Sequence, residues 1–474
     1  MGYLQPPAPP PNGPPPNGPQ SGGPQSGGPQ PMEQQPGGHQ PGGPQSGGPQ
    51  AGGQGPGGPQ PPAALSRPAR RHMLPRWLLV TLASLLVGAA AVAMLLELGF
   101  NLGPLGLTVG LAAAILPVPL LVACFLWLDR YEPEPIHYLL FAFGWGAAPA
   151  TYVAYRVNTF AAKDLALNDG LVGVLVAPFI EELMKALGPL LILWFRRSHV
   201  SGITDGIVYC GLSGIGFAMV ENVLYLGGHG FMSGYEDYGP ASGTQLVFGL
   251  FIARIFMSGF AHPLFTSMTG IGIGIAARSP NLAVRMLAPI PGLILAMMLH
   301  GAWNLMAILS ADRSPYVFLY GYIAVMVPVF LAMVGVAMWV RAREGRLAVK
   351  VLPPYVRAGW FTPPELATLG TLGRRHAARV WAKRVAGDTG RRAMRDFQHA
   401  ATSLALVRDS MDRRLDTKPR QWEHNQAEEL ELLNTIQQAR YFFTGRDPQM
   451  PPAHWDGNGY DLTFPDGRVR RVPP

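Results

Sequence analysis

The sequence predicts an all-α fold: a polytopic transmembrane helical bundle of about eight spans, with a disordered N-terminal arm and a helical cytoplasmic tail. Three observations predict it. Only 14% of the 474 residues are charged, where a soluble domain averages about 25%. Eight apolar stretches follow the arm, each near the roughly 20 residues that a helix needs to cross a bilayer. The charge is also segregated. Residues 341–474 hold 23 Lys/Arg against 15 Asp/Glu, a surplus equal to the whole chain's net charge of +8.

The arm, 1–70, is built from Pro, Gly, Gln and Ser with repeated GGPQSGGPQ units. It has too few apolar residues to offset chain entropy, so disorder is expected. With no apolar core near its start it does not read as a signal peptide. The membrane part, 71–340, carries the apolar stretches at about 77–96, 105–128, 137–157, 171–195, 203–226, 245–275, 284–309 and 316–340. Both cysteines, Cys124 and Cys210, fall inside them and give neither a disulfide framework nor a cysteine metal site. The 32 Arg against 5 Lys, with abundant Ala, Gly and Pro, accord with a GC-rich bacterial genome.

Basic residues in short loops set orientation. Arg67, Arg70, Arg71, Arg76, Arg130, Arg196, Arg197, Arg278, Arg285, Arg341, Arg343 and Arg346 all share one side if the N-terminus is cytoplasmic. The opposite loops hold only Arg156, Lys163 and Arg313 against several acids. A multi-pass cell-membrane protein with both termini inside is therefore expected.

The tail, 341–474, shows helical periodicity near 363–385, 390–414 and 421–443. Thr362, Pro363, Pro364 and Glu365 read as an N-cap, a proline start and a capping-box acid. The last thirty residues, rich in Pro, Gly and Asp, are expected to be irregular. The basic surplus suits either a solvated helical domain or contact with anionic lipid of the cytoplasmic leaflet. No nucleic-acid partner is expected.

Ionisable side chains inside hydrocarbon are costly and mark candidate sites. Here they cluster in the fourth to seventh stretches: Glu181, Glu182 and Lys185, then Glu221 and Asn222, then Arg254 and His262, then His300 and Asn304. Glu181 and Lys185 share a helix face, and burial and mutual repulsion oppose two free carboxylate charges side by side. Peptide hydrolysis needs a water, a base and a group that stabilises the oxyanion, which carboxylate and imidazole supply directly. The same groups can instead hold Zn, with Glu221, His262 and His300 as candidate ligands and an open position for water. The cofactor stays open between the two, and HExxH is absent, so this is no ordinary zincin. Taken singly, Arg254 or Asn222 could equally be a packing contact, and Lys185 reads as a counter-ion. A proton-coupled transporter also places acids and histidines at mid-membrane, but the 181–185 motif has no echo in another half. A non-catalytic scaffold presenting arm and tail is the third reading.

At these residues the sequence resembles the PrsW family of intramembrane proteases, related to the CAAX prenyl endopeptidase and bacteriocin-immunity group. The resemblance covers about 127–305 and rests on ordered fragments. They are Leu128-Asp129-Arg130-Tyr131-Glu132-Pro133-Glu134-Pro135, Glu181-Glu182-x-x-Lys185, and Asp205-Gly206 leading to Gly216-Phe217-x-x-x-Glu221-Asn222. Arg254-x7-His262 and His300-x-x-Trp303-Asn304 complete the set. The wider group often has His where this chain has Glu221. The resemblance implies cleavage of a membrane-anchored regulator, such as an anti-sigma factor. Glu181 or Glu182 would activate water, with His262 and His300 as metal ligands or oxyanion partners and Glu221 as a third ligand or orienting acid.

Overall fold

The fold follows from where the apolar helices break and where glycine lets them touch. The computed structural model describes residues 76–472 except 132, 313, 414, 416–418, 445, 447–452 and 464–466. The arm, Glu132 and Arg313 thus lie outside the described residues.

Among the described residues, five helical runs are long and apolar enough to cross a membrane: Val80–Leu128, Ile203–Tyr238, Pro240–Ala277, Leu282–Ala311 and Tyr316–Arg357. The first takes in two of the expected stretches. It is interrupted at Gly103 (φ 64°, ψ 174°), a conformation that a Cβ disfavours. Beyond the break the chain runs antiparallel to the helix Ile203–Leu224, with Gly106 beside Gly227, Gly110 beside Val223 and Phe125 beside Gly211. Two further helical stretches, 136–163 and 169–195, match the third and fourth expected positions. They carry more polar residues and are not among the five.

Ile203–Leu224 is the axis of the bundle and is buried along most of its length. Helices Ala261–Ala277, Ile136–Trp145 and Arg76–Ile115 pack around it. Two glycine pairs at four-residue spacing make a close contact, Gly202 and Gly206 against Gly270 and Gly274. Without water to drive burial, small residues that admit close backbone packing hold membrane helices together. A Cβ added at Gly206 would lie 2.0 Å from the Gly270 carbonyl oxygen. One added at Gly292 would lie 2.2 Å from that of Met268, which seats the helix Pro289–Asp312 on the other side of Ala261–Ala277. These contacts bring three polar-bearing helices together. Gly206→Leu is therefore expected to abolish accumulation of monodisperse protein in detergent. Gly88→Leu, with nothing within 4 Å of the new Cβ, should accumulate normally. Equal behaviour of the two would refute this packing.

The tail folds on its own apolar core of Phe361, Phe397, Leu404, Ile436 and Phe443. Thr362 and Glu365 form the expected capping box, with N–H to carboxylate and N–H to hydroxyl distances of 2.8 and 3.3 Å. Leu372–Asp412 breaks at Ala386 and Gly387 and folds back, since Arg375 donates to Thr402 Oγ1 at 2.7 Å and its carbonyl accepts from Gln398. Pro419–Tyr441 packs against it. The irregular C-terminus that composition suggested is instead a small antiparallel sheet: β1 (Ala453–Trp455), β2 (Tyr460–Thr463) and β3 (Val469–Val472), in that order. Its β1–β2 turn is closed by Asp456 Oδ1, which accepts the N–H of Asn458 and Gly459 at 2.9 Å each. Its anchor is Tyr460, buried against Trp455, whose hydroxyl donates to the Phe361 carbonyl. The tail lies against core loops. Arg375 donates to the Tyr131 carbonyl at 3.3 Å, and Arg278 pairs with Asp409.

Candidate active site

The helix Ala177–Phe195 carries Glu181, Glu182 and Lys185 on its inward side, and all three are buried. A π-helical turn, Val172–Val176, feeds it; such turns recur at functional sites. Its backbone is pinned by neighbours: Trp145 Nε1 donates to the Met184 carbonyl and Ser213 Oγ to that of Lys185, both at 2.8 Å. His262 stands in the first turn of Ala261–Ala277, just after the break at Ser258 that ends the π-helical stretch Ile252–Met257. His300 lies near the middle of Pro289–Asp312.

Lys185 is the hub. Its ammonium donates to Glu182 Oε1 at 2.8 Å and to Glu181 Oε2 at 3.4 Å, and lies 2.9 Å from His262 Nδ1. It also sits 4.0 Å over the Phe217 ring. With ammonium hydrogens directed at Nδ1, that nitrogen accepts, and the other ring nitrogen carries the proton. That nitrogen, Nε2, lies at ion-pair distance, 2.7 Å, from Glu221 Oε2. Arg254 holds Glu221 from the other side at 2.9 Å, donates to Asn222 Oδ1 at 2.9 Å, and stacks 3.7 Å over Tyr225.

Glu182, 0% exposed, has both oxygens occupied. Thr266 donates to Oε2 at 2.9 Å, and His300 Nδ1 meets Oε1 at the same distance. A carboxylate on Nδ1–H orients an imidazole and raises its basicity, a common support for metal-binding histidines. The free Nε2 of His300 then faces Glu181 Oε2 at 3.7 Å. Glu181 keeps only long contacts, to Lys185 and to Asn158 Nδ2 at 3.3 Å. Three carboxylates face two permanent cations, so with neutral histidines the cluster balances only with one further proton or one added cation.

Of the residues expected from the sequence, Glu181, Glu182, Lys185, Glu221, Asn222, Arg254, His262 and His300 thus form one connected network. Asn304 stands apart and ties its helix to the Gly173 carbonyl at 2.8 Å. Within the expected ligand set the structure makes a distinction. Ligand atoms of Glu181, His262 and His300 all lie within 4.8 Å of one another, whereas Glu221 braces His262 from behind. The sequence reading missed Asn158 and Thr266. Thr266 could have been found from its spacing, one helical turn after His262; Asn158 gave no such signal.

Comparison with known proteins agrees with the motif reading. Residues 134–333 match a family model described as PrsW family intramembrane metalloprotease. Protease PrsW of Bacillus subtilis is 32% identical over 120 residues, 25% of this chain and 55% of the relative. Protease PrsW of Geobacillus kaustophilus is 27% identical over 168 residues, 35% and 66% respectively. The chain therefore spans between about half and two thirds of the length of these relatives. No solved structure matches. The resemblance carried by the motifs is thus shown: over residues 134–333, which hold the whole polar network, this chain is similar to the PrsW family of intramembrane metalloproteases.

Proposed function

We propose that this chain is an intramembrane endopeptidase, a hydrolase that cuts a peptide bond in or near the membrane segment of a membrane-anchored protein. An anti-sigma factor or another regulator is the substrate class that the family resemblance suggests. The observation that carries this reading is the buried convergence of Glu181, Glu182, His262 and His300 from three helices. A packing role needs no such set: uncompensated charge inside a bilayer is expensive and is kept where it does chemistry.

The residues fit the metal that the family description implies. Glu181, His262 and His300 offer one oxygen and two nitrogens, the donor types zinc takes, and a cation there would balance the carboxylate that Lys185 and Arg254 leave over. When bound there, such an ion would polarise the scissile carbonyl and make a water acidic enough to ionise near neutral pH. The protein's own part is legible. Glu182 and Thr266 hold His300 in the tautomer that frees Nε2. Glu221, braced by Arg254, takes Nε2 of His262, which leaves Nδ1, the nitrogen beside Lys185, as the donor that would face an ion. Lys185 keeps the paired carboxylates from repelling each other. Glu181, the carboxylate with the longest contacts, is placed to take a proton from the attacking water or to hold the ion.

The orientation with both termini cytoplasmic, and the eight-span count, belong to the same proposal. The tail contacts Tyr131 and Arg278, while Arg197 and Arg278 bond to Ala277 and Ser201 carbonyls. Three of the loops assigned to the cytoplasm, at 130–131, 196–201 and 277–278, therefore share one face with the tail. Purified protein assayed on single-span substrates, with metal measured on the same sample, tests the function. About one bound ion per chain is expected, lost in His300→Ala, together with cleavage that chelation stops. Cleavage that survives exhaustive chelation would favour a glutamate–histidine mechanism, and no cleavage of any membrane substrate would count against the protease.

A further inference from the structure

We propose that Arg341, Arg130 and Arg379 form a binding site for the phosphate of an anionic membrane phospholipid, at the junction of the last membrane helix and the tail. Arg341 is the central observation. It is 4% exposed, and neither terminal nitrogen of its guanidinium has a hydrogen-bond partner. A buried guanidinium without an acceptor is costly, and this one lies 3.3 Å over the Trp127 ring. That cover is thin, for Trp127 is itself 45% exposed. Trp127 and the exposed Trp339 mark the depth at which indoles meet lipid headgroups.

Tyr131 builds the rest of the site. It wedges between the last membrane helix and the tail. A Cβ added at Gly345, one turn beyond Arg341, would lie 2.7 Å from its hydroxyl, and Arg375 of the tail stacks 4.7 Å over its ring. Arg130 precedes Tyr131 in the chain, and Arg379 follows Arg375 by one turn. Arg379 donates to Gln398 at 2.7 Å, so its side chain is held rather than free. Arg130 acts electrostatically on both Arg341 and Arg379, and Arg395 adds to the field at Arg379. Burial first, and then these like charges, bring Arg379 below the ordinary guanidinium pKa. The neighbouring Glu344 makes no hydrogen bond to the terminal nitrogens of Arg341. The open N–H groups of Arg341, in the field of two further arginines, match the acceptor-rich geometry of a phosphate. Tryptophans on the membrane side favour a phosphate that arrives on a lipid.

The test uses the full chain, exchanged from mixed micelles of phosphatidylglycerol and phosphatidylcholine, with retained lipid counted by native mass spectrometry. Wild type should retain phosphatidylglycerol in preference. Arg341→Gln and, separately, the more accessible Arg379→Gln should each cut that retention about fivefold, the factor one well-placed basic residue contributes beside an anionic leaflet. Arg341→Lys, which keeps the charge but loses the fork, should fall between. Equal retention of the two lipids, or wild-type retention in Arg379→Gln, would overturn the site. So would displacement of phosphatidylglycerol by an equal concentration of inorganic phosphate.

Discussion

Glu181→Gln, Glu182→Gln and His262→Ala are each expected to abolish cleavage of a single-span substrate, a fall of roughly 10²–10⁴-fold or more, while the protein still inserts and accumulates. Glutamine preserves the shape of glutamate and removes its charge. At Glu182 the amide oxygen can stand in for Oε1, but it carries no charge to hold Lys185 or to polarise His300, and the NH2 group meets Thr266 where Oε2 accepted. His300 then loses the carboxylate that raises its basicity, without any change in packing volume. At Glu181 the loss is direct, because its Oε2 faces both Lys185 and His300 Nε2. His262→Ala removes the link between Lys185 and Glu221. Cleavage by all three near the wild-type rate would make the scaffold reading the better one.

Lys185→Met should do the opposite damage, lowering stability more than any surface change. Lys185 is 0% exposed and is the cation shared by two adjacent carboxylates. Breaking a buried ion pair by removing one partner costs roughly 3–5 kcal/mol, because the charge left behind has no compensation. Methionine keeps most of the volume, so the cost is electrostatic rather than a cavity. The double variant Lys185→Met with Glu182→Gln removes one stranded charge and should recover part of the loss, a non-additivity expected of groups in contact. Thermal unfolding in detergent measures both. A midpoint unchanged in Lys185→Met, or a double variant as unstable as the sum of its parts, would remove Lys185 from its role as counter-ion. Activity should fall as well, since Lys185 also holds Nδ1 of His262.

The bundle was legible in the sequence because a bilayer demands long apolar runs, and the charged residues stood out against them. Glu181, Glu182, Lys185, Glu221, Arg254, His262 and His300 are all groups that hydrocarbon rejects, so their co-location could be expected before their contacts were known. Asn158 and Thr266 escaped because uncharged polar residues are tolerated in membrane helices and carry no such signal. Which acid would brace and which would ligate was not legible either. Glu221 and Glu181 differ in what stands behind them, Arg254 in one case and Lys185 in the other, and that is tertiary information. The fold-back at Gly387 fell in the gap expected between two tail helices. The closing sheet was missed because strands of three or four residues show too little alternation to count. The turn residues Asp456-Gly457-Asn458-Gly459 fall within the stretch expected to be irregular.

The pairing of Arg278 with Asp409 has a consequence in time. The two residues are separated by 131 positions, and at about 5–20 residues per second a ribosome needs on the order of ten seconds to make that stretch. Throughout that interval the polar network's helices can already be inserted while the faces at Tyr131 and Arg278 wait for the tail. Biogenesis is thus a two-step affair: the part that carries the polar network is born first, and its surface at Tyr131 and Arg278 is closed only by residues that are synthesised after the last membrane helix.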